Sequence, residues 1–376
     1  MIMKPESKPA VDAPLLLMTP GPTRVPERVL RAGSRPMIHH RTPEFSRELA
    51  TAIELLGPVF GTRGLPLPVH TTGRGALEAT ICNLFSPGDE LAVCCNGKFG
   101  EMWAGFAESY GLVVHPYSAT WGLDANVTEL DALLREHRAV RAVTAAYVDT
   151  STGVVSDIPA IARVARANDA LVLVDAVPSL GGMPFAFDEW GVDVAVTASQ
   201  KCLMSSPGLA WVAMSERAWT ATTTSRLPRN YWDFADIKHA ISKPRPETPG
   251  TSPVHLVLQV AEALRLMHEE GLSNVYARHD AMGRRARNGA AELDVSLQFP
   301  NAARHAATLT ALALPAGVPP RPFRDKLKAR GILTGAGLGP CEPIGFRIGH
   351  MGDIRLPDVE RTLAAVRDAL DEMRSP

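Results

Sequence analysis

The sequence predicts an α/β fold: a mostly parallel central sheet flanked by helices, followed by a smaller α+β domain. Three observations carry this. Between about residues 67 and 215, short apolar runs alternate with stretches of helical spacing, the rhythm of βαβ units. Two of those runs lead into a charged residue, Asp175 and Lys201, at the kind of strand end where open α/β sheets gather polar groups. Beyond about residue 255 the rhythm changes to long helices separated by isolated strands.

In chain order, residues up to about Met18 read as a loose arm, rich in Pro and Lys and then apolar. Thr19 to Pro26 holds three prolines and a glycine and reads as a rigid turn segment. Phe45, Leu49, Ile53 and Leu56 recur at helical spacing, so a helix is expected over about 42–60. Strands are expected at Leu67 to His70, Glu90 to Cys95, Leu112 to Pro116, Val140 to Tyr147, Leu171 to Val174, Val192 to Val196 and Ala210 to Met214. Helices fit between them, at Gly75 to Phe85, Gly100 to Tyr110, Val127 to Arg135 and Asp157 to Ala167. Residues 218–253 carry several Pro, Thr and aromatic residues and read as irregular. Pro253 then opens a helix over His255 to Glu270. The remainder predicts a helix near 274–294, a strand near Ala306 to Leu314, a helix near 321–329, the strand Gly345 to Gly349 and a last helix from about Pro357 to Met373.

The 376 residues are 45% hydrophobic and 21% charged, ample for a full core and more than one domain. With 39 basic and 40 acidic side chains, the net charge of -1 leaves no footprint for a nucleic acid or an anionic membrane. No apolar stretch approaches the roughly 20 residues that span a bilayer. The patch Pro14 to Met18 is too short for a signal sequence, and a cytoplasmic protein is expected. Five cysteines, an odd number without metal-site spacing, read as reduced thiols. The eleven histidines form neither HxxxH nor HExxH, so no zinc enzyme and no metal ligands are expected.

Several short motifs sit where chemistry is done. Thr71-Thr72-Gly73-Arg74-Gly75 lies between a strand and a helix, where free N–H groups and the helix dipole can hold a phosphate; an ordinary tight turn looks the same. Asn96-Gly97-Lys98-Phe99-Gly100 repeats that placement one unit later, with an aromatic able to lie flat on a ring or to fill a core. Asp149-Thr150-Ser151-Thr152-Gly153 offers hydroxyls to a ligand, or a turn that bonds its own backbone. A carboxylate at Asp175 needs a partner, because it ends a buried strand. Lys201 follows Ser199-Gln200 at the end of another apolar strand; lysine is rarely buried without purpose, and a surface lysine snorkelling from a strand end looks the same. Together the acid and the amine point to pyridoxal phosphate (PLP): a Schiff-base lysine and an aspartate that keeps the pyridine nitrogen protonated. Arg347 interrupts the apolar strand Gly345 to Gly349, a setting in which a guanidinium grips a carboxylate or makes an internal salt bridge.

Taken in order, these motifs resemble the class V aminotransferases of PLP fold type I, on the alanine–glyoxylate and serine–pyruvate branch. The resemblance is carried by Thr19 to Thr23, Gly75 to Ala79, Ser151 to Gly153, Val174 to Gly182, Ser199-Gln200-Lys201 with Pro207-Gly208, and Gly337 to Pro340 leading into Phe346 to Gly349, and it spans about residues 15–370. It implies an arm at 1–22 that joins the small domain, a large PLP-binding domain at 23–255 and a small domain at 256–376. It implies that Lys201 binds the cofactor covalently and moves protons, that Asp175 pairs with the pyridine nitrogen, and that Phe99 stacks on the ring. Thr72, Gly73 and Arg74 would hold the phosphate with Gln200 beside them, and Thr152 would sit near the ring oxygen. Arg347, with Thr23, would bind substrate. Thr251 would reach the phosphate of a neighbouring subunit, which makes a homodimer with shared sites.

The implied reaction moves the amino group of alanine or serine to glyoxylate or pyruvate by a ping-pong mechanism. Other donors on the same fold, 2-aminoethylphosphonate or ureidoglycine, are alternatives. So is a cysteine desulfurase or lyase using Cys341, although such enzymes typically carry His where this chain has Gln200 and Phe99. Two departures stand out. No tyrosine occurs within 248–251, where relatives often place one, and Arg74 stands where some relatives have His.

Overall fold

The computed structural model describes residues 14–374. Strand β1 (Leu16–Met18) is followed by two helices, Glu27–Gly33 and Pro43–Phe60. The second starts at Thr42, whose hydroxyl accepts from Phe45 N–H, continues through Pro43 at a position that needs no N–H, and stops at Gly61 in the left-handed region at φ 68°. Seven strands then build the large sheet: β2 (Leu67–Val69), β3 (Glu90–Cys94), β4 (Val113–Tyr117), β5 (Val140–Ala146), β6 (Leu171–Asp175), β7 (Val194–Ala198) and β8 (Ala210–Met214). Their order is β2-β8-β7-β6-β5-β3-β4. The pairs from β7 through β4 are parallel, whereas β8 runs antiparallel to both its neighbours. The central strands are buried along nearly their whole length, which is why they read as continuous apolar runs.

A second sheet follows: β9 (Ser296–Leu297), β10 (Leu309–Ala313), β11 (Ile332–Ala336) and β12 (Gly345–Gly349), in the order β1-β11-β12-β10-β9. Strand β1 pairs parallel with β11, through Leu16–Ile332, Leu17–Leu333 and Met18–Thr334. The smaller apolar cluster gathers Leu16, Met18, Phe323, Phe346, Ile348 and the inward face of the last helix, Leu356–Arg374. The larger cluster lies about the seven-stranded sheet. The helix Val254–Glu270 begins where the sequence placed the start of the smaller domain, yet its apolar face (Val257, Val260, Leu264, Met267) is buried in the larger cluster.

Several segments differ from expectation; the helices Glu27–Gly33 and Phe187–Trp190 and the strand Ser296–Leu297 were not anticipated. Leu16–Met18 is a strand rather than loose chain, because β11 supplies its hydrogen-bonding edge. Ile332–Ala336 is a strand that the surrounding glycines concealed. The 218–253 stretch contains the helices Glu216–Thr222 and Phe234–Ile241, each started by a side-chain cap, Ser215 and Asp233. No helix among the described residues is long and apolar enough to cross a membrane.

Candidate active site

The parallel strands deliver their polar ends to one side of the sheet. Asp175 is the last residue of β6, and Lys201 follows the end of β7, the next strand over. Thr72 caps the helix Gly73–Leu84, and Phe99 lies in the first turn of the helix Lys98–Ser109. Asp175, Lys201, Gln200, Phe99, Thr72, Gly73 and Arg74 line a single cavity of about 280 Å³, together with Thr150 and Val177. The first backbone bond of the Gly73 helix runs from Ala76 N–H to Thr72 O. The N–H groups of Gly73, Arg74 and Gly75 therefore precede the ladder, a ready anion cradle. A side chain at Gly73 would drive a Cβ to 2.8 Å from Val177, so this turn fits closely against the turn that follows Asp175. Gln200 Oε1 is buried without a hydrogen-bond partner.

Burial dominates the electrostatics. It pushes the Asp175 carboxyl up to about 7; the bond from Val177 N–H to Oδ1 (2.8 Å) and the charge of Lys201 act against it, and Asp149 reinforces it. Burial, and then the charge of Arg347, bring Lys201 down to about 8. Lys201 Nζ donates to the Pro20 carbonyl. Gly21, at φ +105°, passes so close that a Cβ there would lie 2.6 Å from Nζ. Arg347 is buried in β12, and burial lowers its pKa to about 10. Its Nε donates to Ala336 O (2.7 Å) and one Nη to Thr150 O (2.9 Å), which ties the small sheet to the turn that follows β5.

Four residues singled out in the sequence do not line this cavity: Arg347, which meets it only through its bond to Thr150 O, and Thr23, Thr152 and Thr251. Thr23 is buried, with its hydroxyl donating to Met351 O at 2.9 Å. The Thr152 hydroxyl accepts from Val154 N–H, and its neighbour Thr150 faces the cavity instead. Thr251 is exposed and lines a separate cavity of about 260 Å³ with His70, Asn230 and Tyr231. Tyr231 is 69% exposed, so this chain does carry a tyrosine beside Thr251, from a different segment.

Residues 16–357 match the family "Aminotransferase class-V". The chain belongs to the class V aminotransferases. Its relatives include a protein of Synechococcus named "Soluble hydrogenase, small subunit", 37% identical over 95% of this chain and 93% of that one. They also include the L-aspartate–glyoxylate aminotransferase of Paracoccus denitrificans, 35% identical over 90% of this chain and 86% of the relative. Among solved structures, the alanine–glyoxylate aminotransferase of Nostoc superposes with a TM-score of 0.91 at 31% identity, covering 97% of each chain.

One residue of this aminotransferase was poorly legible beforehand. Asp149 is buried, and its Oδ1 accepts from Ser151 N–H as a polar turn predicts. Its Oδ2 accepts from Phe99 N–H at 2.9 Å, fifty positions away in the chain, and the Ser151 hydroxyl accepts from Lys98 N–H. A single carboxylate therefore fixes the helix N-terminus that carries Phe99. The Asp in the Asp-Thr-Ser-Thr-Gly motif was the available signal, but only the fold reveals its second partner.

Proposed function

We propose that this aminotransferase uses PLP to move the amino group of a small amino acid, alanine or serine, to glyoxylate or pyruvate. The observation that carries this reading is the meeting of Lys201 and Asp175 in one cavity, from the ends of adjacent strands. When bound, PLP supplies an aldehyde carbon and an electron-withdrawing ring. The residues present fit it. Asp175 is a buried acid short of a cation, and a protonated pyridine nitrogen is the cation it lacks. The free N–H groups of Gly73, Arg74 and Gly75 suit a phosphate.

Lys201 is the proton carrier and the covalent attachment point. With a pKa near 8, about one in ten is the free amine at neutral pH, against fewer than about one in a thousand for an ordinary lysine. Pro20 O orients that amine, and Gly21 leaves it room. Arg347, with two donors committed to carbonyls, presents its remaining N–H groups to a substrate carboxylate. Phe99 flanks the cavity, and Asp149 holds it there. The desulfurase reading is disfavoured because Cys341 is buried and its thiol is pushed up by burial, the reverse of an activated thiolate.

Glyoxylate as acceptor is supported by the names of the Paracoccus and Nostoc proteins. We further propose a cytoplasmic homodimer in which the exposed Thr251 reaches the partner's phosphate cup. The Lys201→Ala variant should lose turnover by about 10²–10⁴-fold or more, the range ascribed to a positioned acid–base group. Normal turnover in that variant would overturn the site. A panel of alanine, serine and aspartate against glyoxylate and pyruvate decides the substrates, and a tenfold preference for aspartate would overturn the donor assignment.

A further inference from the structure

Outside the catalytic cavity, Glu90, His115 and His137 bring one carboxylate oxygen and two imidazole nitrogens within 4.8 Å of one another. They come from three separate elements. Glu90 opens β3. His115 lies in the middle of the edge strand β4, opposite Ala92, so it stands on the same sheet face as Glu90, one diagonal away. His137 ends the helix Val127–Glu136, with its N–H bonded to Leu133 O, just before β5 begins. Local spacing cannot reveal such a set, because 25 residues separate the first pair and 22 the second.

Two features set this cluster apart from an ordinary surface ion pair. Among the described residues, Glu90 has no Lys or Arg partner; its one ion-pair partner is His115, whose Nε2 lies 2.7 Å from a Glu90 oxygen. The His137 ring makes no hydrogen bond among the described residues, yet it stacks on His115 with centroids 4.0 Å apart and planes tilted by 31°. An acceptor-rich carboxylate thus faces two imidazoles, one without a polar partner, in a partly shielded position (17% and 27% side-chain exposure for His115 and Glu90). The geometry points to a binding site for one divalent transition-metal cation, held by Glu90, His115 and His137, with water in the fourth position. Two imidazoles and a carboxylate suit zinc, cobalt or nickel rather than calcium or magnesium. In a tetrahedral zinc site with bonds of about 2.0–2.2 Å, ligand atoms lie roughly 3.4 Å apart, so small side-chain rotations close the set. The ion would pin the edge strand β4 to β3 and to the turn before β5. That is the N-terminal end of β3, whereas Phe99 follows its C-terminal end.

The test uses the PLP-loaded protein and two probes, Zn²⁺ and Co²⁺. The wild type should take up one ion per chain after dialysis, show the visible bands of four-coordinate Co²⁺, and gain roughly 2–4 °C in Tm at saturating Zn²⁺. His137→Ala, and separately Glu90→Gln, should weaken uptake at least tenfold while leaving the far-ultraviolet dichroism and the cofactor absorbance unchanged. His137→Gln serves if the alanine variant folds poorly. Wild type that binds no ion overturns the proposal. So does uptake by the well-folded variants equal to wild type, which would place the ion elsewhere, for instance on the cofactor phosphate.

Discussion

At the scale of single residues, the site depends on charges held where they are uncomfortable. Asp175 near pKa 7 and Lys201 near 8 are close to neutral pH from opposite directions, for one reason: both are taken out of water. In the proposed site a protonated pyridine nitrogen would relieve the first by giving the carboxylate a cation. Asp175→Asn keeps the shape and the bond from Val177 N–H to the side-chain oxygen but removes the charge. On the proposed reading its cost would fall on catalysis, where the Asp175 charge would be needed, rather than on coenzyme binding. We expect kcat to drop by about 10²–10³-fold while coenzyme affinity changes by less than about tenfold, the pattern of an interaction realised mainly in the transition state. Steady-state kinetics alongside a spectroscopic coenzyme titration measure both. Equal losses in affinity and in kcat would make Asp175 a mere anchor.

At the scale of elements, what matters is how closely helix N-termini seat on strand ends. A Cβ at Gly100 would lie 1.9 Å from the Cys94 carbonyl oxygen, so the helix Lys98–Ser109 rests directly on the end of β3. Backbone cannot rotate away as a side chain can. Gly100→Ala must push the helix off the strand, and Phe99 goes with it. The expected outcome is coenzyme binding weaker by at least about tenfold and a loss of about 1–3 kcal/mol of stability, the usual range for overpacking. Absorbance titration and urea unfolding read the two effects, and unchanged affinity would remove Phe99 from the ring-holding role. The same scale explains what could be read in advance. Buried parallel strands and amphipathic helices announce themselves by period, and a charged residue at the end of such a strand is conspicuous, so Asp175 and Lys201 stood out. Leu16–Met18 and Ile332–Ala336 are short, and one is strewn with glycine; each is a strand because a remote partner supplies its edge. Asp149 was ambiguous for the same reason, since its bond to Phe99 exists only after β3 and β5 lie side by side. The Thr251 region was harder still, as Tyr231 reaches it from another segment.

For the whole molecule, the buried histidines tie folding to pH. Burial holds His70 and His279 at about 4 and His350 at about 3, against an ordinary 6.5, with His40, Arg278 and Arg287 respectively adding like charge. Geometry agrees for His279: its Nε2 accepts from Gly352 N–H at 3.1 Å and its Nδ1 lies 2.7 Å from Val275 O, an arrangement that requires the neutral ring. The unfolded chain takes up protons at these rings as pH falls below about 6.5, and the folded chain refuses them until about 4 or lower. Their contribution is therefore complete above pH 6.5 and drains away on acidification. Asp175 works in the opposite sense. Raised from 3.8 to about 7, it binds a proton in the folded, coenzyme-free chain that the unfolded carboxyl does not, which adds stability as pH falls from 7. Taken alone, these three histidines against Asp175 leave a net loss on the order of 3 kcal/mol between pH 7 and 5. Urea unfolding of the coenzyme-free protein at the two pH values measures it. The double variant His279→Gln, His350→Gln removes two of the three opposing groups, so its stability should change little over the same interval or even rise toward pH 5. If the variant keeps the wild-type slope, the proton uptake belongs to other groups and the neutral, buried imidazoles are not what makes this fold acid-sensitive.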